Sequence, residues 1–260
     1  MSGGRRLDRR GFLARGLAAA SAALLGGCDD LSDQPWVRRV LDSAETLTRV
    51  TQEALLSPEA LAREYREADL SREFKANGSI NPEDPAYVAH AKNGFADWKL
   101  VVGGLVEEPL ELSLAELRAM PSRTQITRHD CVEGWSCIGK WKGVKLSALL
   151  TRARLKQGAR YIVFHCADSL GSTGTEADKY YESIGLADAF HAQTILAYEM
   201  NDQTLPIAHG APLRLRVERQ LGYKMAKYVM RIEAVDGLAR IRGGRGGFWE
   251  DLGYEWYAGI

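Results

Sequence analysis

From residue 35 the apolar positions recur at helical steps. Val37, Val40, Leu41, Ala44, Leu47 and Val50 are separated by arginines and acids, so residues 35–56 are predicted to form an amphipathic helix. Ser57-Pro58-Glu59 then reads as the N-cap, first-turn proline and first-turn acid of a second helix. Residues 28–75 are therefore expected to be a helical lead-in. Asn77-Gly78 through Pro85 is rich in turn formers and closes that section.

The period changes at Trp98. Leu100-Val101-Val102 reads as a strand closed by Gly103-Gly104. Ser113 is placed to cap a short helix from Leu114 to Met120, which Pro121 ends, and a second short helix is predicted from Leu146 to Arg154. Tyr161-Ile162-Val163-Phe164 has the β-branched and aromatic content of a buried strand. Leu213 to Val217 alternates apolar residues with arginine, as a half-buried strand would, and Met225 to Val235 is a further strand. Strands and short helices mix without a βαβ repeat, so residues 76–260 are expected to be one α+β domain with mixed sheets.

Composition adds one asymmetry. The 260 residues carry 34 basic and 34 acidic side chains, which argues against a nucleic-acid partner. The first 27 residues hold Arg5, Arg6, Arg9, Arg10 and Arg15 against Asp8 alone. Arg9-Arg10 precedes an uncharged run, Gly16 to Gly27, which is shorter than the ~20 residues of a spanning helix. Residues 1–27 therefore read as a twin-arginine export signal, with the periplasm as the expected destination. Leu25-Gly26-Gly27-Cys28 resembles a lipobox, and Asp29 after it resembles an inner-membrane retention signal. Cys28 is the expected lipidation site.

The remaining cysteines are Cys131, Cys137 and Cys166. A Cys131–Cys137 disulfide is open on spacing. A zinc set of Cys131, Cys137, His165 and Cys166 lacks paired C-x-x-C spacing. Cys166, inside an apolar strand, reads as packing. Cys131 stands in Arg128-His129-Asp130-Cys131-Val132-Glu133-Gly134-Trp135. A nearby arginine favours thiolate, and a thiolate suits a soft or high-valent metal. A nucleophilic pair with His129 competes with that reading. Later, His209-Gly210-Ala211-Pro212-Leu213-Arg214 and Gly222-Tyr223-Lys224-Met225-Ala226-Lys227 combine glycines with cations able to hold a phosphate. Spacing alone does not choose between that role and a solvated face for Arg214, Lys224 and Lys227. Arg216 and Arg219 read as solvated. Gly171-Ser172-Thr173-Gly174-Thr175 lacks a P-loop lysine and reads as a loop.

Over roughly residues 70–257, these ordered blocks resemble the sulfite oxidase superfamily of molybdopterin enzymes. The branch is that of bacterial periplasmic methionine-sulfoxide reductase catalytic subunits. The resemblance implies a sulfite oxidase-type molybdopterin-binding domain and a molybdenum oxidoreductase. Cys131 would ligate molybdenum. His209, Arg214, Gly222, Lys224 and Lys227 would hold the pterin and its phosphate, partly through backbone atoms. Asn77 would reach the cofactor, and Asp168 to Ser183, with Tyr181 and Ser183, would border the site. Arg128 and Asp130 would tune the cysteine. The cofactor implied is molybdopterin without an appended nucleotide.

Sulfite oxidases follow the cysteine with an Ala-Gly-Asn-Arg-type run whose arginine helps bind sulfite. Here the run is Val-Glu-Gly-Trp, so sulfoxide-type reduction is expected over sulfite oxidation. Ser136-Cys137-Ile138-Gly139 also departs from the reductase branch. Trp135, Trp249, Tyr254 and Trp256 are candidates for an entrance wall or for core. The chain has no C-x-x-C-H haem site, so its electrons must be exchanged with a partner, which the resemblance implies is a membrane haem b protein. The competing readings are a non-catalytic periplasmic binding module on the same fold and a cofactor-free thiol enzyme.

Overall fold

The computed structural model describes residues 34–37, 40, 43, 44, 47, 50, 51, 57 and 59–260, Gly174 excepted. The twin-arginine segment and Cys28 lie outside the described residues. The chain divides into Met1–Leu55 and Leu56–Ile260. In the first unit the described residues between 35 and 51 are helical.

The second unit holds, in chain order, α1 (Pro85–Lys92), β1 (Lys99–Gly104), β2 (Leu110–Ser113), α2 (Leu114–Ala119), β3 (Ser122–Asp130), β4 (Ser136–Lys145) and α3 (Leu146–Ala153). It continues with β5 (Tyr161–Ser169), β6 (Lys179–Gly185), α4 (Leu186–Ala189), β7 (Ile195–Met200), β8 (Gln203–Thr204), β9 (Arg214–Arg216), β10 (Val229–Val235) and α5 (Phe248–Asp251). One sheet has the order β2-β1-β10-β5-β6, with β1 parallel to β10 and the other pairs antiparallel. The other runs β3-β4-β7-β8, with β9 on β7, all antiparallel. This is the mixed-sheet α+β arrangement expected.

Local chemistry explains the regular parts. In β1, Leu100 and Val102 are buried while Lys99 and Val101 are exposed, the period of a strand with one covered face. Ser113 and Glu116 close a capping box at α2: Ser113 Oγ accepts from Glu116 N, and Glu116 Oε2 accepts from Ser113 N at 2.8 Å. Asp84 caps α1 through Tyr87 N, with Pro85 in the first turn. Residues of both sheets, including Leu100, Ile162, Phe164, Val144, Leu196 and Leu215, share one core with α3.

Three expectations are corrected. The second helix of the lead-in does not form. Ser57 closes a turn, with Ala60 N on Ser57 O at 2.9 Å, and the chain then runs extended. Leu61 is exposed, so a helix here would have no apolar stripe to bury. β3 is an edge strand, and its free groups take the segment instead: Glu64 bridges Thr127, and Tyr65 N bonds Ile126 O at 2.8 Å. The strand at Leu213 to Val217 is buried throughout, not half-buried. The strand expected from Met225 begins at Val229, because Gly222–Lys224 winds into a 3-10 turn.

Candidate active site

A cavity of about 420 Å³ opens where the β3–β4 turn, the end of β5, the Ile207–His209 turn and the Gly222–Lys224 turn meet. Cys131 sits at the end of β3, in a turn closed by Cys131 N on Trp135 O at 2.9 Å and Gly134 N on Cys131 O at 3.0 Å. Gly134 has φ +85°, which only glycine adopts freely. That turn aims Cys131, Val132, Glu133 and Trp135 at the cavity. Asn77 enters from the turn-rich segment that follows the lead-in. Its Nδ2 donates to Cys131 Sγ at 3.7 Å and to Glu133 Oε1 at 3.2 Å. Glu133 Oε2 accepts from Trp135 Nε1 at 3.0 Å and lies 3.5 Å from Lys75 Nζ. These donors, Trp135 first, hold the Glu133 carboxyl below its ordinary range. The carboxylate is thus ionised beside the thiol.

Arg128 does not approach the thiol as expected. Its Nε pairs with Asp130 at 2.8 Å, and Asp130 also accepts from Ser136 Oγ at 2.5 Å. Cys131, Cys137 and Cys166 are all free thiols. The ladder sets Cys137 opposite His129, where it packs against Phe74 and Trp141. Cys166 lies in the main core, and burial pushes its thiol up.

The cations separate into three environments. Arg214 is buried and lines the cavity. Its Nη1 donates to His209 O at 3.2 Å, but its Nε has no partner among the described residues. Burial, then Arg216, lowers it to about 9. Lys227 also lines the cavity, donating to Asn77 O at 2.7 Å and to Ser79 O, and burial lowers it to about 8. Lys224 points elsewhere. Its ammonium is wholly buried between Glu182 and Glu250, 2.5 Å from each. Lys224 is not among the residues that line the cavity, so its ammonium cannot neutralise a phosphate there.

Arg216, read as solvated, is fully buried. It pairs with Glu218 at 2.5 Å, stacks over Trp141 at 4.4 Å and donates from Nη1 to His129 Nδ1 at 3.2 Å. An arginine only donates, so Nδ1 accepts and the neutral ring carries its proton on Nε2. Burial first, then Arg214, Arg216 and Lys227, holds His129 neutral. Its Nδ1 faces Arg216 Nη1 and Met225 Sδ, each at 3.2 Å, and its ring lies 5.7 Å from those of Phe74 and Trp135. His209 is likewise lowered to about 4 by burial. Gly222 closes the floor. A Cβ there would lie 2.5 Å from His129 Nε2 and 3.2 Å from Asp130 O. Gly222→Ala is expected to cut molybdenum retention about tenfold by displacing His129, measured as metal per chain in folded protein.

Of the bordering segment, Asp168, Leu170 and Tyr180 line the cavity. Tyr181 and Ser183 face away, toward Asp251 and Gly246 O. Strand alternation on β6 makes that one-residue difference decisive. Trp135, Trp249, Tyr223 and Tyr254 line the mouth, with Trp249 and Tyr254 stacked at 5.3 Å. Trp256 instead covers Lys224. The sequence does not single out Phe74 or Tyr180, which also line the cavity, and offers His129 only as a partner of the Cys131 thiol.

This donor set fits molybdopterin: a soft thiol at the wall, a buried guanidinium whose Nε has no partner among the described residues, and a glycine floor. A family model described as the oxidoreductase molybdopterin binding domain matches residues 87–239. The chain belongs to that family. It is therefore a molybdopterin-dependent oxidoreductase. It is 36% identical over 251 residues to YedZ1 of Azospira oryzae, provisionally named a protein-methionine-sulfoxide reductase subunit, covering 96% of this chain and 87% of that one. It is 30% identical over 251 residues to the protein-methionine-sulfoxide reductase catalytic subunit MsrP of Xanthomonas axonopodis pv. citri, covering 94% and 73%. Among solved structures, the sulfane dehydrogenase SoxCD of Paracoccus pantotrophus superposes with TM-score 0.50 at 24% identity, covering 57% of this chain and 40% of that one. That likeness supports the sulfite oxidase-type fold.

Proposed function

We propose that this chain reduces sulfoxides, with methionine sulfoxide as the substrate class. The observation that carries the proposal is the Glu133 carboxylate, ionised and hydrogen-bonded to the same Asn77 amide that touches Cys131. An anionic sulfite would meet that charge at the reacting end of the cavity, whereas a sulfoxide is neutral. The names of the relatives point the same way.

When bound, the cofactor supplies two-electron oxygen-atom transfer: a sulfoxide, two electrons and two protons become a thioether and water. The protein's part is positional. Cys131 supplies the metal's thiolate, and the Asn77 amide orients it. Arg214 and Lys227 supply positive charge for the phosphate. Trp135, Trp249 and Tyr254 wall the mouth, which limits water and suits an apolar thioether. The cofactor is expected in its simple form without a nucleotide. Electrons are expected from a membrane haem b protein, and the Arg9-Arg10 signal and Cys28 would bring the chain to the periplasmic face of the inner membrane. Spheroplast fractionation of the full chain tests that location, which a cytoplasmic, Arg9-Arg10-independent distribution would refute.

The cofactor-free thiol alternative needs a His129–Cys131 pair. Arg216 occupies the Nδ1 that would serve as base. Holoenzyme assayed with reduced viologen and methionine sulfoxide, and separately with sulfite and ferricyanide, decides the direction. Turnover only in the first assay is expected; turnover only in the second overturns the proposal. Glu133→Gln should lower the KM for anionic sulfur oxides several-fold while leaving the molybdenum content unchanged.

A further inference from the structure

We propose that the buried carboxyl pair Glu182 and Glu250 stores one proton and passes it through Tyr180 to the cavity, supplying one of the two protons that sulfoxide reduction consumes. The inference deepens that reading and rests on it for the direction of proton flow. Tyr180 and Glu182 are two apart on β6 and share a face. Tyr180 lines the cavity. Its Oη donates to Tyr223 O and stands 3.4 Å from Glu182 Oε2. Behind it, Lys224 Nζ lies 2.5 Å from Glu182 Oε1 and 2.5 Å from Glu250 Oε1, and all three side chains are wholly buried. A Cβ on Gly247 would meet Glu250 Oε2 and lie 2.9 Å from Glu182 Oε1, so the two carboxyl groups lie side by side.

Two carboxylates and one ammonium would leave one negative charge unmatched and out of water, which is costly. Glu250 Oε2 is also buried without a hydrogen-bond partner among the described residues. A single proton shared by the pair removes both problems, because it neutralises the cluster and brings the missing hydrogen bond. Burial, with the Glu250 charge beside it, pushes the Glu182 carboxyl well up against the pull of Lys224. The other titratable groups that face this cluster are Tyr223 on the Lys224 turn, Tyr181 on β6, Asp188 on α4, and Cys166 and Asp168 on β5. None is a cation, so none replaces the proton. Asp168 has an orphaned oxygen of its own, Oδ1. Burial also keeps the Tyr180 phenol protonated, so it relays a proton without resting as an anion. The step balances as follows. The sulfur–oxygen bond breaks with two electrons from the external haem or viologen donor, and the oxygen takes up two protons to become water. Tyr180 gives one and is refilled from Glu182. Solvent at the mouth gives the other, and solvent reloads the pair through Tyr180 after product leaves.

Holoenzyme is compared with Glu182→Gln, Tyr180→Phe, their double variant and Glu250→Gln, with turnover expressed per bound molybdenum. Glu182→Gln and Tyr180→Phe should each lower kcat for methionine sulfoxide about a hundredfold, the lower end of what a positioned acid contributes. KM and molybdenum per chain should not change. The double variant should be no slower than the slower single one, since the two groups act in series. Removing the neighbouring charge in Glu250→Gln lets Glu182 ionise beside Lys224, so the alkaline limb of kcat should move down by at least about one pH unit, a tenfold loss of proton affinity. Infrared spectra of the holoenzyme at pH 7 read the store without turnover. Wild type should show a buried carboxylic-acid carbonyl band that both Glu182→Gln and Glu250→Gln lose. Losses that multiply in the double variant, an unmoved limb in Glu250→Gln, or lost molybdenum with unchanged turnover per molybdenum would each overturn the proposal. So would the absence of that band from wild type, a result that needs no variant to fold. Failure of the sulfoxide reading shows in wild type itself, as turnover with sulfite only, whereas failure of the proton store shows as variants that match an active wild type.

Discussion

Cys131→Ser is expected to abolish turnover while the protein stays folded. A serine hydroxyl is harder than a thiol and far less acidic, so it is a poor ligand for a soft or high-valent metal. The loss should exceed about a hundredfold, the upper range seen when only supporting residues of a metal site are removed. Stability should change little. Cys131 lies in an open turn, and its side chain makes one weak contact, with Asn77 Nδ2 at 3.7 Å. A substitution at such a position stays within about 0.5–1 kcal/mol. Turnover with methionine sulfoxide, metal per chain and a circular-dichroism melt check the three parts together. Full activity in the variant would remove Cys131 from the metal site.

Arg216→Met is expected to be the most damaging single change to stability. The guanidinium donates to Glu218 Oε1 at 2.9 Å and to Oε2 at 2.5 Å, and both side chains are wholly buried. Removing it leaves Glu218 with the Gln125 amide at 2.8 Å as its remaining side-chain donor among the described residues. Stranding a buried charge in this way costs about 3–5 kcal/mol, or roughly 10 °C in melting temperature for a unit of this size. The double change Arg216→Met with Glu218→Leu should recover most of the loss, because no charge is then left unpaired. Calorimetry of the cofactor-free chain reads both. A loss in the double variant as large as in the single one would show that Arg216 acts through Trp141 stacking or His129 rather than through Glu218. The single variant should also retain less molybdenum, since His129 loses the donor that sets its tautomer.

Much of the chemistry was legible before any fold was known. The Asp130 to Trp135 block placed the thiol, and Arg214 and Lys227 do line the cavity with it. The same reasoning failed at Lys224, three residues from Lys227 in an identical stretch of glycine and cation. The 3-10 turn at Gly222–Lys224 and the run into β10 send the two ammonium groups to different places. One meets backbone carbonyls at the cavity, the other two glutamates from β6 and α5. Arg214 and Arg216 repeat the lesson from the other side. Alternation with apolar residues suggested a solvated face for Arg216, but β9 is covered, so both arginines are buried, Arg216 pairing with Glu218 and Arg214 reaching His209 O at the cavity.

Sequence alone determined what local physics controls. The capping box at Ser113 and Glu116, the buried runs of β1 and β5, and the order of the motifs need only neighbouring residues, and they sufficed for the fold class and the family. Tertiary structure decided which side chains share the cavity. Asn77, Cys131, Asp168, Arg214 and Lys227 come from segments far apart in the chain, and each could equally have faced core or solvent by its own period. Side-chain direction at strand ends and turns depends on what packs against them, and partners such as Glu182, Glu218 and Glu250 are brought in by long-range pairing. That is why the cavity-lining cysteine could be picked out from its neighbours, while the partners of the cations, the neutral state of His129 and the unpaired oxygen of Asp168 emerged only when the sheets closed around them.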